Sequence, residues 1–306
     1  MEKDKAERLA AALRENLRKR KAQARDGAAL VRFLKWFEET APAGGLTEMS
    51  AADKLREFRD RTGVLKDLSF DTISATGPNG AIPHYKVTDE SSLPIERGQL
   101  YLVDSGGQYA DGTTDVTRTL AIGEPTAEMR DRFTRVLQGH IGIAAARFPA
   151  GTRGGQLDSF ARRPLWDAGV DYAHGTGHGV GSFLAVHEGP QRIAPVGSGQ
   201  AGGDEPLKAG MILSNEPGYY KTGEYGIRIE NLVLVVPVEV AGAEKDMLGF
   251  ETLTFAPIAR DLIDVSMLSP AERAWTDAYH RQVLAIVGPQ LDGEVLDWLK
   301  AECAPL

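Results

Sequence analysis

The chain has 306 residues, 42% hydrophobic and 25% charged, with a formal net charge of −8 at pH 7. That balance describes a globular protein with a sizeable core and argues against a nucleic-acid surface, which needs clustered Lys and Arg to meet phosphates. Cys303 is the only cysteine, so an intrachain disulfide is excluded and a reducing compartment is the default.

The start "MEKDKAERLA" lacks the apolar stretch of a secretory signal, and runs such as "LVLVV" are far shorter than the ~20 residues that span a bilayer. A cytoplasmic protein with no membrane contact is the expectation. Residues 2 to about 40 are predicted to be helical. Leu9, Leu13 and Leu17 recur at four-residue spacing, and Leu30, Val31, Leu34 and Phe37 continue after Gly27 until "TAPAGG" breaks the pattern. The basic run "RENLRKRKAQAR" within it reads as a solvated helix face. Ser50 followed by Asp53 resembles a capped helix start, with a stop near Gly63.

From about 70 to 122, short apolar runs separated by "GPNG", "ERGQ" and "GGQYADG" predict a β-rich block. Thr126 opens a helix expected to reach Phe148, and "QLDSFARRPLWDAG" predicts another that ends at Gly169. A glycine-rich segment over 175–203 precedes the predicted strands "MILSNE", "IRIENLVLVV" and "ETLTF", and helices over 270–288 and 292–301 follow. Pairs of helices alternating with several antiparallel strands favour an α+β fold.

Within this pattern, acids and histidines stand where apolar residues or glycines are expected. They are Asp104 and Asp115; His174, His178 and His187 in "HGTGHGVGSFLAVHEG"; Glu216 in "SNEPGYY"; and Glu230 in "IRIENLVLV". Any one of these acids could cap a strand end in solvent. Four carboxylates in one core, however, repel each other unless cations neutralise them. Two divalent ions would balance four carboxylates, and a neutral imidazole would complete a mixed oxygen and nitrogen ligand set. Such a set suits Mn(II), Co(II), Fe(II) or Zn(II) in an open catalytic site. Two metals about 3.5–4 Å apart can bind one hydroxide between them and polarise a carbonyl.

At these residues the sequence resembles the aminopeptidase P family, the Xaa-Pro aminopeptidases among the pita-bread metallopeptidases, and most of all its eukaryotic-type cytosolic branch. The resemblance rests on "ISATGPNGAIPHY", "VDSGGQYADGTTDVTRT", "HGTGHGVGSFLAVHEGP", "EPGYY" and "GIRIENLVLVV", in family order. It implies a charged helical lead over 1–21 and a catalytic domain over 22–306, in which a curved antiparallel sheet is flanked by helix pairs. Asp104, Asp115, His178, Glu216 and Glu230 would hold two divalent ions, Mn2+ first, with Co2+ or Zn2+ as alternatives. Asp115 and Glu230 would bridge both ions, Asp104 would complete one, and His178 with Glu216 the other. Glu216 would also serve as general base toward a metal-bridging hydroxide.

The same resemblance implies that His84 and His187 assist catalysis and that His174, Arg228 and Tyr220 bind substrate. His140 and His280 lie outside these motifs and read as structural. The implied substrate is a peptide with proline second. Its scissile bond is a tertiary amide without an N–H, so selectivity must come from a pocket for the ring and capture of the α-amino group. A homodimer is compatible with this reading.

Longer members of the branch carry two amino-terminal, creatinase-like domains that this sequence is expected to lack. Rival readings are a prolidase or methionine aminopeptidase-like enzyme of the same fold, a creatinase-like C–N hydrolase, and a catalytically weak binding module. The last two normally lose metal ligands, whereas all five positions are filled here.

Overall fold

The computed structural model describes residues 2–306 apart from 182, 184, 198 and 200, with side chains from residue 19 onward. Helix α1 (Glu2–Thr40) runs as far as the apolar pattern requires. Its Leu30, Phe33, Leu34 and Phe37 are buried with Leu55, Tyr101, Val103 and Val116. The side chains of Leu9, Leu13 and Leu17 lie outside the described residues. Each buried Phe or Leu contributes about 1.5–3 kcal/mol relative to exposure, so packing rather than helix propensity anchors this half of α1.

Helix α2 (Glu48–Asp60) begins earlier than expected, because Thr47 is its N-cap and Ser50 its reciprocal partner. Ser50 N donates to Thr47 Oγ1 at 3.2 Å and Thr47 N to Ser50 Oγ at 2.9 Å. Two hydroxyl residues three apart satisfy two otherwise orphaned N–H groups, so Asp53 is not needed for the start.

The described strands form four sheets, all antiparallel. One contains β1 (Leu65–Leu68), β4 (Gly107–Tyr109) and β5 (Gly112–Thr113); another contains β2 (Ile73–Thr76), β3 (Leu100–Ser105) and β6 (Val116–Ala121). The largest has the order β7 (Arg147–Pro149), β14 (Met247–Thr252), β13 (Asn231–Val238), β10 (Ile212–Asn215), β8 (Gly177–Val180) and β9 (His187–Ile193). A two-stranded ribbon joins β11 (Gly218–Lys221) to β12 (Tyr225–Arg228). Helix α1 packs on α2, and α3 (Ala127–Ala144) on α4 (Gly154–Trp166), which are the expected helix pairs. Helices α5 (Pro270–Val287) and α6 (Gly293–Glu302) follow.

Two expectations change, and the β-rich block divides between sheets. "VDSGGQYADGTTDV" does not form one hairpin, since β3 pairs directly with β6 while the residues between them turn into a different sheet. "IRIENLVLVV" is not one strand, because β12 and β13 belong to different sheets. Helix α3 stops before Phe148, which instead pairs with Leu248 as a strand residue and packs in the core. In each case a sheet partner distant in sequence outweighs local periodicity. Among the described residues, no helix is long and apolar enough to cross a membrane.

Candidate metal centre

Each expected donor sits where strands meet or end. Asp104 lies in β3 opposite Thr117, and His178 lies in β8. Asp115 immediately precedes β6, Glu216 falls between β10 and β11, and Glu230 falls between β12 and β13. The last three therefore occupy points where the chain leaves one sheet for another. Backbone bonds fix two of them: Glu216 N donates to Thr176 O at 2.8 Å and Glu230 N to Thr117 O at 3.2 Å.

Glycine on either side of His178 lets β8 nest between its neighbours. A Cβ at Gly177 would lie 2.0 Å from Ser214 O, and one at Gly179 would lie 2.0 Å from Glu188 O. The glycine-rich string in the sequence thus reflects close backbone packing around this imidazole.

All five donors line one cavity of about 240 Å³, together with His84, His174, His187, Arg192 and Arg228. One ligand atom each from Asp115, His178 and Glu230 lies within 4.8 Å of the others. His178 Nδ1 faces Gly179 O at 2.9 Å, which assigns the proton to that nitrogen and leaves the Nε2 lone pair facing the acids. Nε2 lies 3.4 Å from Asp115 Oδ2 and 3.5 Å from Glu216 Oε1. An imidazole whose second nitrogen is anchored to a carbonyl is the arrangement a metal-binding histidine requires.

The electrostatics point the same way. Burial, and then the charges of Asp104 and Glu216, push the Asp115 carboxyl well above its ordinary range. Burial, followed by Asp115, Asp104 and Glu216, does the same to Glu230, and burial raises Glu216 against the opposing pull of the Arg228 charge. Among the described residues Arg228 is the one guanidinium bonded to a carboxylate of this group, donating to Asp104 Oδ2 at 2.6 Å. One positive charge cannot neutralise four carboxylates. Asp104 Oδ1 is buried and has no hydrogen-bond partner among the described residues. An orphaned carboxylate oxygen, three acids held up by burial and then by their neighbours' charge, and hard oxygen donors with one imidazole together fit divalent cations.

Around the donors runs a supporting network. Thr117 Oγ1 donates to Glu230 Oε2 at 2.6 Å and Ser214 Oγ to Glu216 Oε1 at 3.0 Å. Arg118 is buried and donates to Glu230 O at 2.7 Å, as well as to Pro257 O, Ala256 O and Asn231 Oδ1. It thereby anchors the backbone where β12 gives way to β13.

Of the other expected site residues, His84, His174, His187 and Arg228 line the cavity, whereas Tyr220 stands behind it. The Tyr220 hydroxyl receives Arg228 Nη1–H at 2.6 Å and lies 2.8 Å from His174 Nε2. His174 Nδ1 faces Gly175 O at 2.8 Å, so Nδ1 carries the proton and Nε2 accepts from Tyr220. Burial, aided by the Arg228 charge, pushes the His174 imidazole down to about 3, so it is neutral near pH 7. His140 and His280 lie away from the cavity and are fully buried.

Sequence reasoning missed Arg192, which lines the cavity, and Thr117 and Arg118, which brace Glu230. A charged residue in the strand pattern "DVTRT" was the available signal for Arg118; nothing local distinguished Arg192. A larger cavity of about 380 Å³, lined by Phe37, Leu120, Trp298 and Glu302 among others, holds none of the candidate donors.

Comparison with known proteins bears on this centre. Residues 18–237 match metallopeptidase family M24, and residues 246–306 match the C-terminal region of peptidase M24. The chain is 53% identical over 292 residues to a probable Xaa-Pro aminopeptidase P of Laccaria bicolor, covering 94% of this chain and 45% of that protein. It is 51% identical over 288 residues to aminopeptidase P2 of Arabidopsis thaliana, covering 92% of this chain and 40% of that one. The crystal structure of an X-prolyl aminopeptidase from Caenorhabditis elegans, described as a cytosolic enzyme with a di-nuclear active site, superposes with a TM-score of 0.89. It shares 42% identity and is covered to 48%, against 95% of this chain. A prolidase from Thermococcus sibiricus gives a TM-score of 0.63 at 29% identity, over 78% of this chain and 59% of its own. The chain thus spans about half the length of the curated relatives it matches. The architecture is the expected pita-bread fold.

Proposed function

The chain belongs to metallopeptidase family M24, and from that premise we propose that it carries a dinuclear-metal aminopeptidase site that releases the N-terminal residue from peptides with proline second. The observation that carries the reading is the convergence of four carboxylates and one oriented imidazole on a single cavity, with Asp104 Oδ1 left without a hydrogen-bond partner among the described residues. Residues 22–306 are taken as the catalytic unit. Relatives named Xaa-Pro aminopeptidase P and the di-nuclear X-prolyl neighbour support the substrate class.

In this reading Asp104, Asp115, His178, Glu216 and Glu230 would hold two divalent ions, with Mn2+ the first choice, and Asp115 and Glu230 would serve both. Bound divalent ions supply polarisation of the scissile carbonyl and a water made nucleophilic near neutral pH. Glu216, at the cavity wall and steadied by Ser214, takes the proton of the attacking water. His84 and His187, both exposed on the wall, reach substrate carbonyls and pass protons to the leaving nitrogen. Neutral His174, its Nδ1–H held by Gly175 O and its Nε2 by the Tyr220 hydroxyl, contributes a fixed ring edge rather than charge. Arg228 holds Asp104 in place through a charge-assisted bond and braces Tyr220.

Phe70, Ile73 and Val186 supply an apolar wall suited to a pyrrolidine ring. A tertiary amide asks for no backbone acceptor there, so apolar shape is the natural discriminator. A cytoplasmic setting accords with a lone buried cysteine and a neighbour described as cytosolic, and a homodimer belongs to the same reading.

The test is reconstitution of the chain with Mn2+, Co2+ or Zn2+ and comparison of first-residue release from Xaa-Pro, Xaa-Ala and Met-Ala peptides. Metal-dependent release favouring Xaa-Pro is expected, and Asp115→Ala should abolish it. Preference for Met-Ala would move the site to the methionine branch, and no metal-dependent release would sink the peptidase reading for this chain.

A further inference from the structure

Glu48, the first residue of α2, is fully buried. Its carboxylate meets hydrogen-bond donors rather than a cation among the described residues. Oε1 accepts from Thr76 N at 2.6 Å, and Oε2 accepts from Asn79 Nδ2 at 2.9 Å, Tyr85 Oη at 2.8 Å and Leu93 N at 3.0 Å. The Glu48 backbone adds to the knot: its N–H donates to Leu93 O at 3.1 Å, and its carbonyl accepts from Ser74 Oγ at 2.6 Å. The N-terminal end of α2 favours the negative charge as well. One side chain therefore ties together α2, the end of β2, the turn over Gly77–Ala81, Tyr85 and Leu93.

What this knot holds is the segment from 82 to 92, which contains no helix or strand. His84 sits in that segment, on the wall of the metal cavity. On one side of it Tyr85 is fastened to Glu48; on the other, Pro83 O accepts from Arg228 Nη1 at 3.3 Å. We propose that Glu48 is a positioning residue for His84, its buried carboxylate fixing the irregular segment that places this imidazole in the cavity. The inference rests on the peptidase reading of the site. Charge-assisted bonds to backbone and hydroxyl donors are strong and directional, which is what a segment without its own ladder needs. A glutamine at this position turns one acceptor oxygen into a donor facing other donors, so at least one of the four contacts must break.

The experiment compares Glu48→Gln, His84→Ala, the double variant and Tyr85→Phe in the Mn2+-loaded chain. Glu48→Gln should lower kcat/KM on an Xaa-Pro peptide about tenfold, through the same parameter, KM or kcat, that His84→Ala changes. The double variant should be no worse than His84→Ala, because the two act as one unit. Mn2+ affinity by calorimetry should stay unchanged, and amide exchange should rise within 82–93 and, outside it, at no amide but Thr76, which also donates to Glu48. Tyr85→Phe, which removes one donor and keeps the carboxylate, should show a smaller effect in the same direction. Multiplying losses in the double variant, altered Mn2+ affinity, or unchanged exchange in 82–93 would overturn the proposal. If the unaltered chain cleaves no Xaa-Pro peptide, the functional reading fails, and exchange then decides on Glu48: a local rise supports it, and none or a global one refutes it.

Discussion

Two buried clusters of charge, one reaching Tyr109 of β4 and the other including Asp115 just beyond β5, are built in opposite ways. In the first, Arg59 of α2 meets Asp26 of α1 through two parallel bonds, Nε to Oδ1 at 2.8 Å and Nη2 to Oδ2 at 3.0 Å, and Tyr109 donates to the same carboxylate at 2.6 Å. Burial would raise the Asp26 carboxyl, but Arg59 and these hydrogen bonds outweigh it and hold it below its ordinary value. In the second, Asp115, Glu216 and Glu230 are all pushed up, and of the four carboxylates Arg228 bonds only that of Asp104 among the described residues. A cluster that neutralises itself serves the fold, whereas one left with excess charge of one sign asks for a counter-charge from outside. Position, burial and residue type are nearly the same; the balance of charge separates scaffold from site.

That contrast can be broken experimentally. Largest in effect should be Asp115→Ala, which should cut metal-dependent peptide release by about a thousandfold or more, as expected when one member of a unit is removed. Asp104→Ala should first weaken one ion, so metal titration should show one site lost where Asp115→Ala disturbs both. Next, Asp26→Ala strands the buried Arg59 and should lower unfolding free energy by about 3–5 kcal/mol in urea titrations. If Asp26→Ala proved harmless, the self-neutralising cluster would not be the structural half of the pair.

Removing metal from the unaltered protein should be somewhat milder. At free metal one hundred times its Kd, loss of the ion costs about 2.7 kcal/mol. Thermal unfolding with and without a chelator should reveal that drop, and Asp115→Ala should show little of it. Smallest is a pH effect in the chelated protein. Carboxyls raised on folding destabilise it at neutral pH and are relieved as pH falls through their raised values. Chelated Asp115→Asn should therefore unfold at higher temperature than the unaltered chain near neutrality, with the gap closing on acidification. His140 and His280, pushed down by burial to about 3 and about 4, act oppositely, losing stability as pH falls below their ordinary value near 6.5. Both variants share them, so the difference isolates the cluster.

Much of the site was legible because acids and imidazoles interrupting apolar or glycine-rich runs are costly and so conspicuous. Asp104, Asp115, His178, Glu216 and Glu230 all announced themselves that way, and the cavity lines up all five. Glu48 and Thr117 did not, and the charge of Arg118 within "DVTRT" said nothing of its bond to Glu230 O. A glutamate in the first turn of a helix is ordinary by composition, and only the donors converging on it from Thr76, Asn79, Tyr85 and Leu93 reveal its burial. Helix α1 was legible from its apolar spacing, but the strand breaks at Asp115 and Glu230 were not. Period-two patterns carry no record of which sheet each half of a run will join.

The sequence by itself determined the kinds of donor, their order along the chain, the helical stripe of α1 and the resemblance to the aminopeptidase P family. Tertiary structure alone decided that Thr117 and Glu230, 113 residues apart, share a 2.6 Å bond, and that Asp115, Glu216 and Glu230 fall at the crossings between sheets. The reason is that residue type and periodicity are local properties. Convergence depends on how separate sheets pack and where the chain must pass between them, and there the backbone ladder lapses and a carboxylate can turn inward.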